Sequence, residues 1–506
     1  MRVEASHLEE AALVFGGEQP GPDPKVGLSL FGPLSASPKQ IRLGIIGDAD
    51  TVDKVQRLLA ICRSRVEGPT RHPLWTQDFP GLNSSSPLSC ELVLKPEWGR
   101  TLAKRSVDEL DFVPGLNQRI RRSVELFCTE IRSLKEREEA PTVFVCAPPR
   151  RMMDLCLPAE GDARGGRGRS ARVERGKKWT PKSDPHQMSL AAFDPEMKQA
   201  EDEFLQRVAG DNFHHFLKAK AMEIPAPTQF VRPYTLDKLF GDQKGKVQDR
   251  ATIAWNLYVG LFYKAEGRPW KLRDMPSNAC FVGISFYQEK PEFGGGIGTS
   301  LAQVFTPDGS GLVLRGERIT WPKGEEPHLS RSAAKRLMER ILKAYEGQSG
   351  TAPGRVVIHK SSSYSLEERF GFKEGLGSTP KHDFVTLVEH SKRVKLFRAG
   401  AEPPIRGTLV TLPDDSRLLF TRGYVPLFRV YPGARVPRPL EISFDEVSTP
   451  KTDLCREILG LTRMNWNTAD FAGMEPITLQ FSREVGRILR EVPPGVTPET
   501  RYLYYM

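Results

Sequence analysis

The chain has 506 residues, 39% hydrophobic and 27% charged, enough to bury large cores and, by length, to form roughly two to four domains. Its 73 Lys and Arg against 63 Asp and Glu leave a formal charge of +10, which favours a polyanionic partner because neutralising phosphates releases counterions. Apolar runs such as VFVCAPP at 143–149 fall far short of the ~20 residues a membrane span needs, and MRVEASHLEE lacks a basic-then-apolar leader, so a cytoplasmic protein is expected. Seven cysteines are scattered, with no CxxC and no His at zinc spacing, and read as buried free thiols.

Residues 1–35, rich in Gly and Pro, read as an irregular lead-in draped over a neighbouring domain. At 41 the pattern changes: IRLGIIGD is a strand, and TVDKVQRLLAICRSR repeats its apolar residues at helical spacing. A second strand follows at 90–96, a helix at 117–137 and a third buried strand at 141–149. Strands alternating with helices imply a parallel, Rossmann-like layer. The stretch 161–185, dense in Gly, Arg and Lys and poor in apolar residues, cannot pack a core and reads as a flexible basic insertion spanning 157–190, either solvated or touching nucleic acid. Helical patterns resume at 197–210 and 211–222, the latter with Asp211 as N-cap. A strand is predicted at 228–236 and a long helix at 249–267.

Near Met275 the grammar switches. FVGISFYQ, IGTSLAQVFT and SGLVLRGERIT are three strands joined by Gly-rich turns; the helix RSAAKRLMERILKAYEG and the strand RVVIHKS follow. Three antiparallel strands, a helix and a returning strand is the order of a ribonuclease-H-like fold. Further strands (HDFVTLVEH, GTLVTL, RLLFTRG) precede a last helix, FSREVGRILREV.

His214 and Lys218 lie four apart and share one helix face near its positive end; Gln229 opens the next strand and Lys264 closes the following helix. Cations, an amide and a helix N-terminus are what a terminal phosphate needs, since each charge-assisted hydrogen bond contributes about 1.5–3 kcal/mol. The same spacing also describes an ordinary solvated face.

The ordered set of HxxxK, PTQFV and AWNLYVGLFYKAEGRPWKL resembles the MID domain of Argonaute proteins. That resemblance assigns His214, Lys218, Gln229 and Lys264 to a pocket for the guide's 5′ phosphate, with His214 where the eukaryotic pattern has Tyr. It also implies a structural Mg²⁺ bridging the phosphate, Gln229 and the terminal carboxylate, here that of Met506. The remainder resembles PIWI through FVGIS, VVIHKS, YPGARVPRPLEI, LTRMNWN and EPITLQFS. The implied organisation is a lead-in at 1–35, a Rossmann-like MID domain at 36–275 and a ribonuclease-H-like PIWI domain at 276–506.

Slicing members hold two metal ions with carboxylates on adjacent strands. Here those positions fall on Ser285, Ser361 and Phe481, and neither hydroxyl nor phenyl offsets the dehydration of a dication, so the chain is expected not to cut. Lys360, Arg435, Arg438 and Asn465 are expected to contact the duplex, and Trp466 to pack the domain interface. Without room for N and PAZ domains, the resemblance points to the short prokaryotic class. It implies a guide RNA, a single-stranded DNA target, and a heterodimer with an APAZ-containing effector (TIR, sirtuin-like NADase or nuclease) that assembles further on activation. Two rivals stand beside it. One is a nuclease built on other carboxylates such as Glu289 or Glu326. The other is a nucleotide enzyme on GIIGDADTV, opposed by the missing GxGxxG and by Asp48 and Asp50, which repel a pyrophosphate.

Overall fold

The computed structural model describes residues 4–71, 73–157, 212–240, 248–290, 297–305, 311–319, 326–389, 396–431, 433, 436–493 and 495–506. Most of the basic insertion, the predicted helix at 197–210 and Asp211 lie outside the described residues.

The first 35 residues carry regular structure where composition predicts none: β1 (Glu4–His7), β2 (Leu13–Val14), β3 (Pro20–Gly21) and helix α1 (Pro24–Phe31). Helix α1 begins where Asp23 accepts from the Val26 amide at 2.9 Å and Pro24 supplies a first-turn residue needing no donor.

The Rossmann-like layer follows as β4 (Gln40–Gly47), α2 (Ala49–Cys62), β5 (Glu91–Val93), β6 (Gly99–Thr101), α3 (Lys104–Asp108), α4 (Leu116–Lys135), β7 (Val143–Ala147), α5 (Arg150–Leu155), α6 (residues 212–222), β8 (Thr228–Phe230), α7 (Pro233–Phe240) and α8 (Arg250–Lys264). Its strands run parallel in the order β5-β4-β7-β8, with β6 also beside β4. All five residues of β7 are buried, as a central strand covered on both faces must be. On α4 the buried residues Ile120, Val124, Phe127, Ile131 and Leu134 recur every three or four positions and pack a core with Phe144 and Phe213. The strand expected at 228–236 ends at Phe230, because Pro233 starts a helix instead of continuing a ladder. Asp48 caps α2, accepting from the Thr51 amide at 2.8 Å, so a carboxylate already fills the helix end that a nucleotide enzyme needs for its phosphates.

After β9 (Lys271–Leu272), which pairs with β2 of the lead-in, comes the ribonuclease-H-like half. It comprises β10 (Ala279–Gln288), β11 (Ile297–Phe305), β12 (Gly311–Arg315), α9 (Arg331–Ser349), β13 (Arg355–Lys360), α10 (Leu366–Gly375), β14 (Lys381–Val388), β15 (Thr408–Thr411), β16 (Arg417–Leu419), β17 (Leu440–Val447), α11 (Lys451–Leu461) and α12 (Ile477–Leu489). The sheet order is β1-β15-β16-β17-β14-β13-β10-β11-β12. Strands β12, β11 and β10 are antiparallel, while β13 runs parallel to β10 and β14 parallel to β13, which is the ribonuclease-H arrangement. The amino-terminal β1 forms the far edge of this sheet. Helix α12 lies so close to β10 that a Cβ on Gly283 would stand 2.0 Å from the Thr478 carbonyl oxygen. One continuous core joins both halves, running from Ile41 and Val145 through Trp255 and Trp270 to Phe481 and Tyr502. All seven cysteines are buried and unpaired.

Candidate functional site

Where α6, β8 and α8 meet, the structure assembles the four residues that the sequence placed on three separate elements. Lys218, on α6, donates from Nζ to the Thr228 carbonyl. Lys264 ends α8 and donates to Gln229 Oε1 at 2.5 Å, while Gln229 Nε2 donates to the Phe230 carbonyl at 3.1 Å. His214 lies a turn before Lys218, its ring 5.5 Å from that of Phe230. Gly260 keeps the floor open: a Cβ there would stand 3.7 Å from Gln229 Oε1 and 4.0 Å from Lys264 Nζ.

The two lysines are only 1% and 3% exposed, and among the described residues no carboxylate pairs with either. Burial, and next the Lys264 charge, hold Lys218 well below the usual amine range, and burial pushes Lys264 down to about 7. Burial and the neighbouring Lys218 keep His214 neutral, well below the imidazole range. Buried cations are normally paired. Two that face one another without an acid form a hole for an anion, and a dianion set between them turns mutual repulsion into attraction.

Further cations lie around His215, the neighbour of His214 on α6, and the sequence analysis did not single them out. His215 is held near 4 by burial first and then by Arg487, Arg232, Arg490 and Lys290. Arg487 and Arg490 are exposed on and just after the last turn of α12, so the ribonuclease-H-like half lends charge to a site built on the other half. The available signal was their spacing of three at a helix C-terminus; what it faces depends on tertiary packing.

The chain end closes in from the same side. Tyr502 stacks on Phe481 with centroids 4.0 Å apart and planes 13° off parallel, and it lies 6.4 Å from Tyr263, the neighbour of Lys264. Residues 502–506 are all buried, Met506 included.

In the ribonuclease-H-like half, Ile284 pairs with Lys360 at the end of β13; Ser285 follows Ile284 on β10, and Ser361 is the first residue after β13. Ser285 is 3% exposed and its hydroxyl has no hydrogen-bond partner among the described residues; Ser361 is half-buried. Phe481 is buried against Tyr502. Lys360, expected on the duplex surface, points inward: its Nζ bonds both Glu368 oxygens at 2.7 and 2.6 Å and the Ser363 carbonyl at 2.9 Å. Burial drives that placement, because an ammonium with 0% exposure must be paired. Arg438 is exposed; Arg435 lies outside the described residues. Asn465 is half-buried and its side-chain oxygen accepts from the Asn467 amide at 2.9 Å, an Asx turn. Trp466 packs 4.8 Å from Tyr263 between the halves. Of the acids considered for a rival nuclease, Glu289 is held by Arg318 at 2.7 Å, and Glu326 accepts from the Ser363 amide and hydroxyl at 3.1 and 2.9 Å.

No family model and no curated protein matches the chain. Solved structures do. A structure of Clostridium butyricum Argonaute bound to a guide DNA and a 19-mer target DNA superposes with a TM-score of 0.61 at 15% identity, covering 98% of this chain and 54% of that one. Aa-Ago with externally bound siRNA gives 0.56 at 14% identity, covering 99% and 56%. A. aeolicus Argonaute gives 0.53 at 13%, covering 99% and 55%. The fold is therefore that of Argonaute proteins, and the chain spans about half the length of the solved structures it matches.

Proposed function

We propose that this chain grips the 5′ phosphate of a guide strand in the cradle of His214, Lys218, Gln229 and Lys264, and pairs it with a complementary strand without cutting. The observation that carries the reading is the pair of buried lysines that no described carboxylate neutralises, meeting a side-chain amide in an Argonaute-like fold. In the relative from Clostridium butyricum, that fold holds guide and target DNA. Residues 36–275 act as the MID domain and 276–506 as an inactive PIWI domain. Ser285, Ser361 and Phe481 offer no anionic ligand where two metal ions would need them. Arg438 and Asn465, and with them Arg435, contact the duplex backbone, an A-form shape being read without regard to sequence.

The Mg²⁺ expected at Gln229 and Met506 meets a poor donor set. Gln229 Oε1 already accepts from the Lys264 ammonium, which competes with an ion for that oxygen. The phosphate is held here by the chain's own cations, and no step depends on a metal.

The guide is an RNA and the target a single-stranded DNA. The duplex activates an APAZ-containing effector of TIR, sirtuin-like or nuclease type, giving a sensor of foreign nucleic acid. Activation requires the duplex to favour one arrangement of the complex over another, since equal affinity for both shifts nothing. To test the reading, the guide-loaded protein is titrated with targets of increasing complementarity in Mg²⁺ and in Mn²⁺. Retention of target that grows with pairing, with no product, is expected. Guide-dependent cleavage lost on changing Glu289 or Glu326 makes the chain a nuclease instead.

A further inference from the structure

Between β16 and β17 the Val425 amide donates to the Val430 carbonyl at 2.9 Å, closing a tight hairpin with Pro426, Leu427, Phe428 and Arg429 at its tip. The tip is held from below. Phe428 is buried edge-on against Trp75, ring centroids 5.2 Å apart, and against Phe471 at 5.1 Å. Four residues before the hairpin, the Thr421 hydroxyl donates to the Met474 carbonyl at 2.5 Å. Arg429 has a φ of +53°, in the left-handed region where a residue other than glycine is uncommon and is kept only by the structure around it.

This fixed base presents an apolar knob between cations. Leu427 is 49% exposed beside the exposed Pro426, and Arg422 and Arg429 are exposed before and after it. Neither guanidinium has an ion pair or a hydrogen bond among the described residues. A lone exposed leucine needs no explanation. One fixed on a turn between two free guanidiniums has the chemistry of a side chain that enters a nucleic-acid stack, its apolar end between bases and the cations on the flanking phosphates. The turn also lies among the proposed duplex contacts: Arg438 is on the same connection, and Phe471, on which Phe428 rests, shares the connection from α11 to α12 with Asn465. We propose that this turn is a wedge, resting on the reading of the chain as a duplex holder: Leu427 enters one base step of the bound guide–target duplex, and Arg422 and Arg429 take the phosphates on either side.

The test uses duplexes carrying 2-aminopurine at successive positions, one per duplex, since that base brightens when it is unstacked. Wild type, L427A, L427M and R422Q/R429Q are compared at saturating protein, with a thermal melt confirming that each is folded. Wild type is expected to brighten the probe at one step at least threefold, L427A to lose that gain, and L427M, which keeps a long apolar chain, to retain it. R422Q/R429Q should flatten the dependence of log K on log salt concentration by roughly 1.4–1.8, since each phosphate contact contributes about 0.7–0.9. The wedge is overturned if no step brightens, if the gain survives in L427A, or if R422Q/R429Q keeps the wild-type salt dependence. Preference for a 5′ phosphate over a 5′ hydroxyl reads the cradle and not the tip, so brightening without that preference supports the wedge and counts against the cradle alone.

Discussion

Lys264 is the residue on which most of the account's chemistry can be measured. Its folded pKa of about 7 lies below the ordinary 10.5, so between those values the unfolded chain binds more protons than the folded one. The burial penalty is therefore full below pH 7 and relieved as pH rises through 7 toward 10.5, and the ligand-free protein is expected to melt at higher temperature at pH 9 than at pH 7. A bound phosphate stabilises the ammonium and reverses this: above pH 7 binding takes up a proton, so affinity for a phosphorylated strand should fall between pH 7 and 9, as equilibrium binding across that range would show. Below about pH 6 the phosphate itself loses charge, which sets the acid limit. Gly260 makes a second residue-scale test. An alanine there meets only ordinary contacts at 3.7 and 4.0 Å and should leave binding intact, whereas G260L should push a side chain between Gln229 and Lys264 and weaken phosphorylated strands at least tenfold, with hydroxyl-ended strands unaffected. Chelation with EDTA should change the affinity less than twofold, because the donor set favours ammonium over metal.

At the scale of elements, the lead-in is bolted down by two arginines of the second half. Arg463 is 1% exposed and donates to the carbonyls of Ala11, Pro22 and Phe471, while Arg406 pairs with Glu10 at 2.6 Å. Replacing Arg463 with Ala removes three hydrogen bonds made by a buried guanidinium, each worth about 1 kcal/mol, so R463A should lower unfolding stability by about 3 kcal/mol in urea titration. This explains why a segment with no periodicity in its sequence is nevertheless ordered: its partners lie hundreds of positions away, and composition carries no trace of them. The same limit hid the inward turn of Lys360, expected on the duplex, because its partner Glu368 comes eight residues later on another element. By contrast β4, β7, β10 and β13 were legible as short, nearly continuous apolar runs, which is what strands covered on both faces require, and α4 by its 3.6-residue period. Of the cradle, the four residues were legible as types in order; their convergence was not, and the spacing of Arg487 and Arg490 at the end of α12 does not say that they face His215.

For the whole molecule, one half supplies the cradle and the other a sheet with the ribonuclease-H strand order, where the proposed reading puts Ser285, Ser361 and Phe481 at the positions that slicing members fill with acids. The shared core through Trp255, Trp270 and Phe481 and the stacking of Tyr502 on Phe481 tie the two together, with the carboxy-terminal residues packed beside the end of α8. The most direct measurement compares one oligonucleotide, ending in a 5′ phosphate or a 5′ hydroxyl, for equilibrium binding to wild type and to the H214A/K218A/K264A variant. Each charge-assisted contact is worth about 1.5–3 kcal/mol, so wild type should prefer the phosphate by at least about tenfold and the variant should show no preference. Equal binding of both ends by wild type, or a preference that survives in a folded variant, contradicts the account.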